Sequence, residues 1–140
     1  MARPLVLISD DEPLLVAAFA RNARMFGLEV ISDTTSHQVL ELARVHKPRV
    51  IVLDIHQHVD GRDLLARLKK DPETRDCQVI VLTGVEDQFT RHVCFDLGAA
   101  DYEVKPFDST FMVKVARLAG VDPYAPMETV ELNPGAGRAV

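Results

Sequence analysis

Val50-Ile51-Val52-Leu53-Asp54 is a run of four apolar, mostly β-branched residues that leads straight into a carboxylate. So short a continuous apolar run reads as a strand buried on both faces, as in parallel sheets covered by helices. Asp54 stands where the strand stops, at its carboxyl end. In open parallel α/β sheets that edge is where ligands bind. Asp54 is therefore the candidate reacting group, and the rest of the chain is its holder.

Upstream, Leu5 to Ile8 forms a first buried strand, and Ser9-Asp10-Asp11-Glu12-Pro13 follows it. Acids before a proline suit a first helical turn. The pattern of Leu15, Ala18, Phe19 and Asn22 to Arg24 predicts a helix to about Phe26, closed by Gly27. Leu28 to Ile31 predicts a shorter strand. Ser36 is expected to open a second helix, with Val39, Leu40 and Ala43 on one face, that Lys47-Pro48 stops.

Downstream of Asp54 comes a polar loop, Ile55-His56-Gln57-His58-Val59-Asp60-Gly61. A third helix turns Leu64, Leu65 and Leu68 inward. It leaves Arg67, Lys69 and Lys70 as a solvated face balanced by Asp71 and Glu73. Gln78 to Leu82 is another buried strand, ending at Thr83-Gly84. A fourth helix, about Asp87 to Leu97, spaces Phe89, Val93 and Leu97 as an inward stripe before Gly98. Tyr102-Glu103-Val104 is a last strand reaching Lys105-Pro106. Asp108 or Ser109 caps a fifth helix with Phe111, Val115 and Leu118 on its buried side. Five strands alternating with five helices imply a parallel sheet with right-handed crossovers, covered on both faces.

Composition agrees with one domain. The chain has 140 residues, 47% of them hydrophobic, and a net charge of −5. That size and apolar content support one ordinary core. The acidic balance gives no basic footprint for nucleic acid, so direct nucleic-acid binding is not expected. No apolar stretch is long enough for a membrane span, and the start leaves no room for a signal peptide. Cys77 and Cys94 read as free thiols of a reducing, cytoplasmic setting. Proline and glycine crowd the last twenty residues, so 121–140 is expected to be a tail outside a domain of residues 1–120.

Asp10, Asp11, Asp54, Thr83 and Lys105 all fall at strand carboxyl ends. With strand order 2-1-3-4-5, the first and third strands are neighbours and three carboxylates crowd together. Like charges that close are unfavourable unless a cation joins them. Mg²⁺, which takes one or two carboxylates and a phosphate oxygen, is the natural one. With a phosphoryl group added, the roles divide. Asp54 is the nucleophile that forms an acyl phosphate. The metal, the Lys105 ammonium and the Thr83 hydroxyl each take a phosphoryl oxygen. Gly84 leaves the approach open.

The Asp10-Asp11 pair, Asp54, Thr83-Gly84 and Lys105-Pro106-Phe107, in that order on that topology, resemble the receiver domain of a bacterial two-component response regulator. The resemblance covers about residues 3 to 120. It implies a flavodoxin-like (βα)₅ three-layer sandwich with five parallel strands. It implies transfer of a phosphoryl group to Asp54 from a sensor histidine kinase or phosphotransfer protein, with Mg²⁺ as cofactor. Asp10, Asp11, Asp54 and the His56 backbone carbonyl would be the metal ligands. A cis peptide before Pro106 and a switch pair, Thr83 and Tyr102, are implied as well. The switch would signal to a downstream effector protein through the fourth-helix, fifth-strand, fifth-helix face, which also admits a homodimer. Such a domain is not an enzyme beyond its own phosphorylation and dephosphorylation. The loop after Asp54 departs from the family: it lacks the usual Met-Pro pair and is one residue shorter. That makes His56 a candidate for setting the acyl-phosphate lifetime.

Two rival readings stand beside this one, the first of which keeps the fold. One is a receiver-like interaction module that works without phosphate. The other is an aspartate-dependent phosphohydrolase, against which His56 stands where a second acid is needed. Plainer readings also exist for single residues. Asp10 and Asp11 suit helix capping, Lys105 a solvated lysine, Thr83 a strand end, and Tyr102 a strand tyrosine with a wet hydroxyl. His56 and His58 suit either a transition-metal site or polar loop filler. His37, His46 and His92 read as exposed helix residues.

Overall fold

Alternate residues of the buried strands face opposite helical layers, and this sets the architecture. In the computed structural model, which describes residues 3–124, the strands are β1 (Leu5–Ser9), β2 (Glu29–Asp33), β3 (Val50–Leu53), β4 (Gln78–Thr83) and β5 (Asp101–Val104). The helices are α1 (Pro13–Met25), α2 (Val39–His46), α3 (Gly61–Lys70), α4 (Gln88–Asp96) and α5 (Ser109–Leu118). All strand pairs are parallel, in the order β2-β1-β3-β4-β5. Leu7, Ile51, Leu53, Val79 and Val81 pack with α2, α3 and α4. Val6, Ile8, Val50, Val52, Ile80 and Leu82 pack with Phe19 of α1 and Phe111, Met112 and Val115 of α5. A strand buried on both faces has no polar side to show, which is why its sequence is continuously apolar. This is the expected flavodoxin-like (βα)₅ sandwich.

Local expectations hold unevenly. Gly27, with φ +81°, closes α1, and Asp108 caps α5 by accepting the Phe111 N–H at 3.0 Å. The second helix starts at Val39, not Ser36. The helix has no side-chain cap; Asp33 instead holds the turn before it, accepting the Thr35 N–H at 2.8 Å and the Gln38 N–H at 2.7 Å. Ser36 is buried at φ +64°, and its hydroxyl accepts the Val59 N–H at 3.1 Å instead. On α4 the inward stripe is Thr90 and Cys94; Phe89 is 69% exposed. On α3 the basic cluster is not a uniform solvated face. The Lys69 ammonium donates to the carbonyls of Arg75 and Cys77, at 2.7 and 3.0 Å, and so pins the chain entering β4. Asp71 and Glu73 pair with Arg44 and Lys47 of the α2 end, while Arg67 pairs with Asp63.

Cys77 and Cys94 are buried and free. His37, His46 and His92 are exposed; His46 and His92 lie on helices as expected, whereas His37 lies in the turn before α2. Val121, expected in the tail, packs against the α1/α5 core, and Tyr124 lies over Arg117 at 5.6 Å. The remainder of the expected tail, residues 125–140, lies outside the described residues. Among the described residues no helix is long and apolar enough to cross a membrane.

Gly61 closes the loop after β3. A Cβ there would sit 2.2 Å from the Ile55 Cα, a backbone atom that cannot swing aside. Gly61→Ala is therefore expected to destabilise the domain by about 2–3 kcal/mol, read as a lower urea midpoint with unchanged m-value.

Candidate functional site

Neighbouring strands deliver the site. Ser9 pairs with Leu53 across β1 and β3, so Asp10 and Asp54 follow at adjacent strand ends. Thr83 pairs with Val104 across β4 and β5, and the Lys105 N–H donates to the Thr83 carbonyl at 2.7 Å. From there Lys105 reaches over the sheet edge. Its Nζ lies 2.8 Å from Asp10 Oδ2, 3.0 Å from Asp54 Oδ2 and 3.0 Å from Glu12 Oε2. Asp10 and Asp54 are buried, and the Lys105 side chain is only 12% exposed. The peptide bond between Lys105 and Pro106 is cis, as the resemblance implied.

The carboxylates are oriented by backbone donors. Asp54 Oδ1 accepts the His56 N–H at 3.0 Å, and Asp10 Oδ1 accepts the Glu12 N–H at 2.9 Å. Asp10 Oδ2 is close enough to Lys105 for a strong ion pair, but the approach leaves it without a directed hydrogen bond. Burial pushes the Asp10 carboxyl above its ordinary range, more than the nearby Lys105 ammonium and the Glu12 N–H pull it down. Lys105 moves the opposite way relative to burial. Desolvation favours the free amine, yet Asp10, Glu12 and Asp54 together hold the ammonium well above its ordinary range. The two directions are compatible: one cation serves three acids, so it is over-compensated while the most buried acid is under-compensated.

A raised carboxyl pKa means that the native state binds a proton more tightly than the unfolded chain. Ionised Asp10 therefore costs stability as pH rises above the acid range. Asp10→Asn is expected to melt higher than wild type at pH 7 and to lose at least tenfold in Mg²⁺ affinity, measured by thermal melts and metal titration.

Carboxylate oxygens of Asp10, Asp11 and Glu12 lie within 4.8 Å of one another, and Asp54 joins them through the shared ammonium. Hard oxygen donors, with one buried oxygen lacking a directed partner, fit Mg²⁺. His56 lies in the loop with its side chain exposed and pairs with Asp60 in a single antiparallel bridge. His58 stacks on His37, with ring centroids 6.2 Å apart. Among the described residues no histidine belongs to a three-ligand group.

Thr83 and Tyr102 meet at one residue. The fully buried Thr83 accepts the Val85 N–H at its Oγ1 at 3.3 Å, and the Tyr102 hydroxyl donates to the Val85 carbonyl at 2.8 Å. Tyr102 is thus turned inward, not a strand tyrosine with a wet hydroxyl. Burial, foremost, pushes its phenol above the ordinary value. A Cβ on Gly84 would meet nothing within 4 Å, which leaves the approach past Thr83 open.

Three residues escaped the sequence reading as site members: Glu12, Ser9 and Gln57. Glu12 followed two acids and was visible only as a helix-start acid. Ser9 and Gln57 carry no sequence signal, because the contact that joins them spans two strand ends.

A parallel α/β domain with acids at the ends of β1 and β3 and a lysine at the end of β5 has the layout of a signalling receiver. The family model described as "Response regulator receiver domain" matches residues 6–117, and the chain belongs to that family. Members of this family are signalling domains and typically bind Mg²⁺ at an acidic pocket. Over 115 residues the chain is 34% identical to the DNA-binding dual master transcriptional regulator RpaA of Synechocystis, covering 81% of this chain and 48% of that one. Over 104 residues it is 36% identical to the transcriptional regulatory protein KdpE of Mycobacterium tuberculosis, covering 74% and 45%. The chain thus spans about half the length of these relatives. The signal receiver domain of a DNA-binding response regulator from Colwellia psychrerythraea superposes with a TM-score of 0.78 at 21% identity, covering 84% of this chain and 98% of that one. At that identity the likeness shows the fold.

Proposed function

We propose that residues 1–120 act as a phosphorylation-dependent switch, with 121–140 as an appended tail. Asp54 accepts a phosphoryl group from a sensor histidine kinase or phosphotransfer protein. The observation that carries this reading is the Lys105 ammonium held between Asp10 and Asp54 at 2.8 and 3.0 Å. It places a fixed cation beside a buried carboxylate that has one oxygen on a backbone N–H.

In the transfer, an Asp54 oxygen attacks phosphorus as the bond to the donor histidine nitrogen breaks. Lys105 stays charged and takes up one developing phosphoryl oxygen charge. The Thr83 hydroxyl turns from Val85 to another. Asp10, Asp11 and Asp54, with the His56 carbonyl, would hold Mg²⁺, which supplies further neutralisation of the phosphoryl oxygens. Movement of Thr83 changes the hold on Val85, to which the Tyr102 hydroxyl is also bonded, and so links the pocket to α4 and β5. Exposed Val85, Phe89 and Phe95 on that side support a protein-contact output through the α4–β5–α5 face, to an effector or a second copy. His56, whose N–H holds Asp54, is assigned to the lifetime of the acyl phosphate.

Incubation with Mg²⁺ and acetyl phosphate, followed by intact-mass measurement, tests the proposal. One added phosphoryl group per chain is expected; an unchanged mass would overturn it and favour the phosphate-independent interaction module.

A further inference from the structure

The loop after Asp54 is short, yet it must carry both the His56 N–H that orients the acceptor and the carbonyl assigned to the metal. Something must hold it. The Gln57 side chain reaches back under the loop. Its Nε2 donates to the Asp54 carbonyl at 2.7 Å, and lies 3.0 Å from Ser9 Oγ and 3.2 Å from the Ser9 carbonyl. Ser9 is fully buried at the last position of β1, and its carbonyl also accepts the Asp54 N–H at 2.9 Å. One amide nitrogen therefore joins the ends of the two strands that bring Asp10 and Asp54 together.

The other end of the amide has no such reward. Gln57 Oε1 is buried without a protein hydrogen-bond partner. Turning the amide over would place this oxygen against two carbonyl oxygens, so the orientation is set by the donor end. A side chain that leaves an acceptor unpaired in order to keep its two amide hydrogens on the Asp54 carbonyl and on Ser9 is held by those contacts.

We propose that Gln57 is the positioning residue of the phosphoacceptor loop. It clasps the end of β1 to the end of β3 and so sets the pose of the Asp54 and His56 backbone toward the acidic pocket. The proposal rests on the receiver reading of that pocket. Groups that orient metal ligands from behind commonly account for about 10–100-fold in metal affinity.

The test compares wild type with Gln57→Leu, which keeps bulk and removes the donor. The readouts are Mg²⁺ titration of the unphosphorylated protein and amide hydrogen exchange of Asp54 and His56. Gln57→Leu is expected to bind Mg²⁺ at least tenfold more weakly and to lose protection at those two amides selectively. If it does not fold, Gln57→Met, of equal length and flexible but without a donor, replaces it with the same expectation. Wild-type Mg²⁺ affinity in the variant, or a uniform loss of protection over the whole sheet, would overturn the proposal. Failure of wild type itself to bind Mg²⁺ would instead sink the receiver reading, and the exchange pattern would still judge the clasp.

Discussion

Asp54→Asn is expected to take up no phosphoryl group from acetyl phosphate under conditions in which wild type is fully modified. The substitution replaces an anionic oxygen nucleophile by a neutral amide of the same shape. The backbone bond from the residue 54 N–H to Ser9 is untouched, and Lys105 keeps Asp10 and Glu12 as partners. The fold should therefore survive, which makes the loss of mass gain a statement about chemistry. Intact-mass measurement checks it, with a thermal melt to confirm folding. A phosphoryl group appearing on the variant would place the acceptor elsewhere and remove the basis of the proposed mechanism.

Lys105→Met is expected to weaken both function and fold. Methionine fills the space of the aliphatic stem but leaves Asp10 and Asp54 facing each other without a cation. Removing one donor to developing transition-state charge commonly costs about 10²–10³-fold in rate, and phosphorylation by acetyl phosphate should slow on that scale. Stranding buried charges commonly costs about 3–5 kcal/mol. Glu12 is exposed, so the lower end is expected here, measured by urea unfolding at pH 8 without Mg²⁺.

The pH dependence has a definite sign. In the variant the native carboxyls hold protons more tightly than the unfolded chain does, so stability falls as pH rises and recovers toward pH 5. In wild type the ammonium is held above its ordinary value. Its contribution is complete at any pH below the unfolded lysine value and fades only as pH climbs through the raised folded one. Across pH 5 to 8 the lysine itself therefore adds no slope. A variant equally stable at both ends of that range would show that Lys105 does not neutralise the buried acids.

Much of the fold and the pocket is legible in the chain alone. Val50 to Leu53, Leu5 to Ile8 and Gln78 to Leu82 are continuously apolar because both faces of the sheet are covered, and an exposed face would have put polar residues at alternate positions. Asp10, Asp54, Thr83 and Lys105 are legible because polar residues that end buried strands must lie at one sheet edge. What failed were readings that needed a neighbour. Ser36 looks like a helix opener, yet the helix begins three residues later, Asp33 holds the turn that leads into it, and Ser36 turns to Val59. Lys69 looks solvated until the carbonyls of Arg75 and Cys77 are seen beside it. Phe89 matches a helical stripe, but α4 turns Thr90 and Cys94 to the sheet and leaves the ring in water.

Periodicity and punctuation acting over a few residues were enough to set the alternation of strands and helices, and with it the edge that carries the chemistry. The composition of the pocket depended on pairs far apart along the chain: Lys105 with Glu12 across 93 positions, Lys105 with Asp54 across 51, Gln57 with Ser9 across 48. No local preference encodes such pairs. Strand order and register bring them within hydrogen-bond reach, and only then does it become apparent which acid shares the lysine, which oxygen is left without a directed partner and which amide holds the loop.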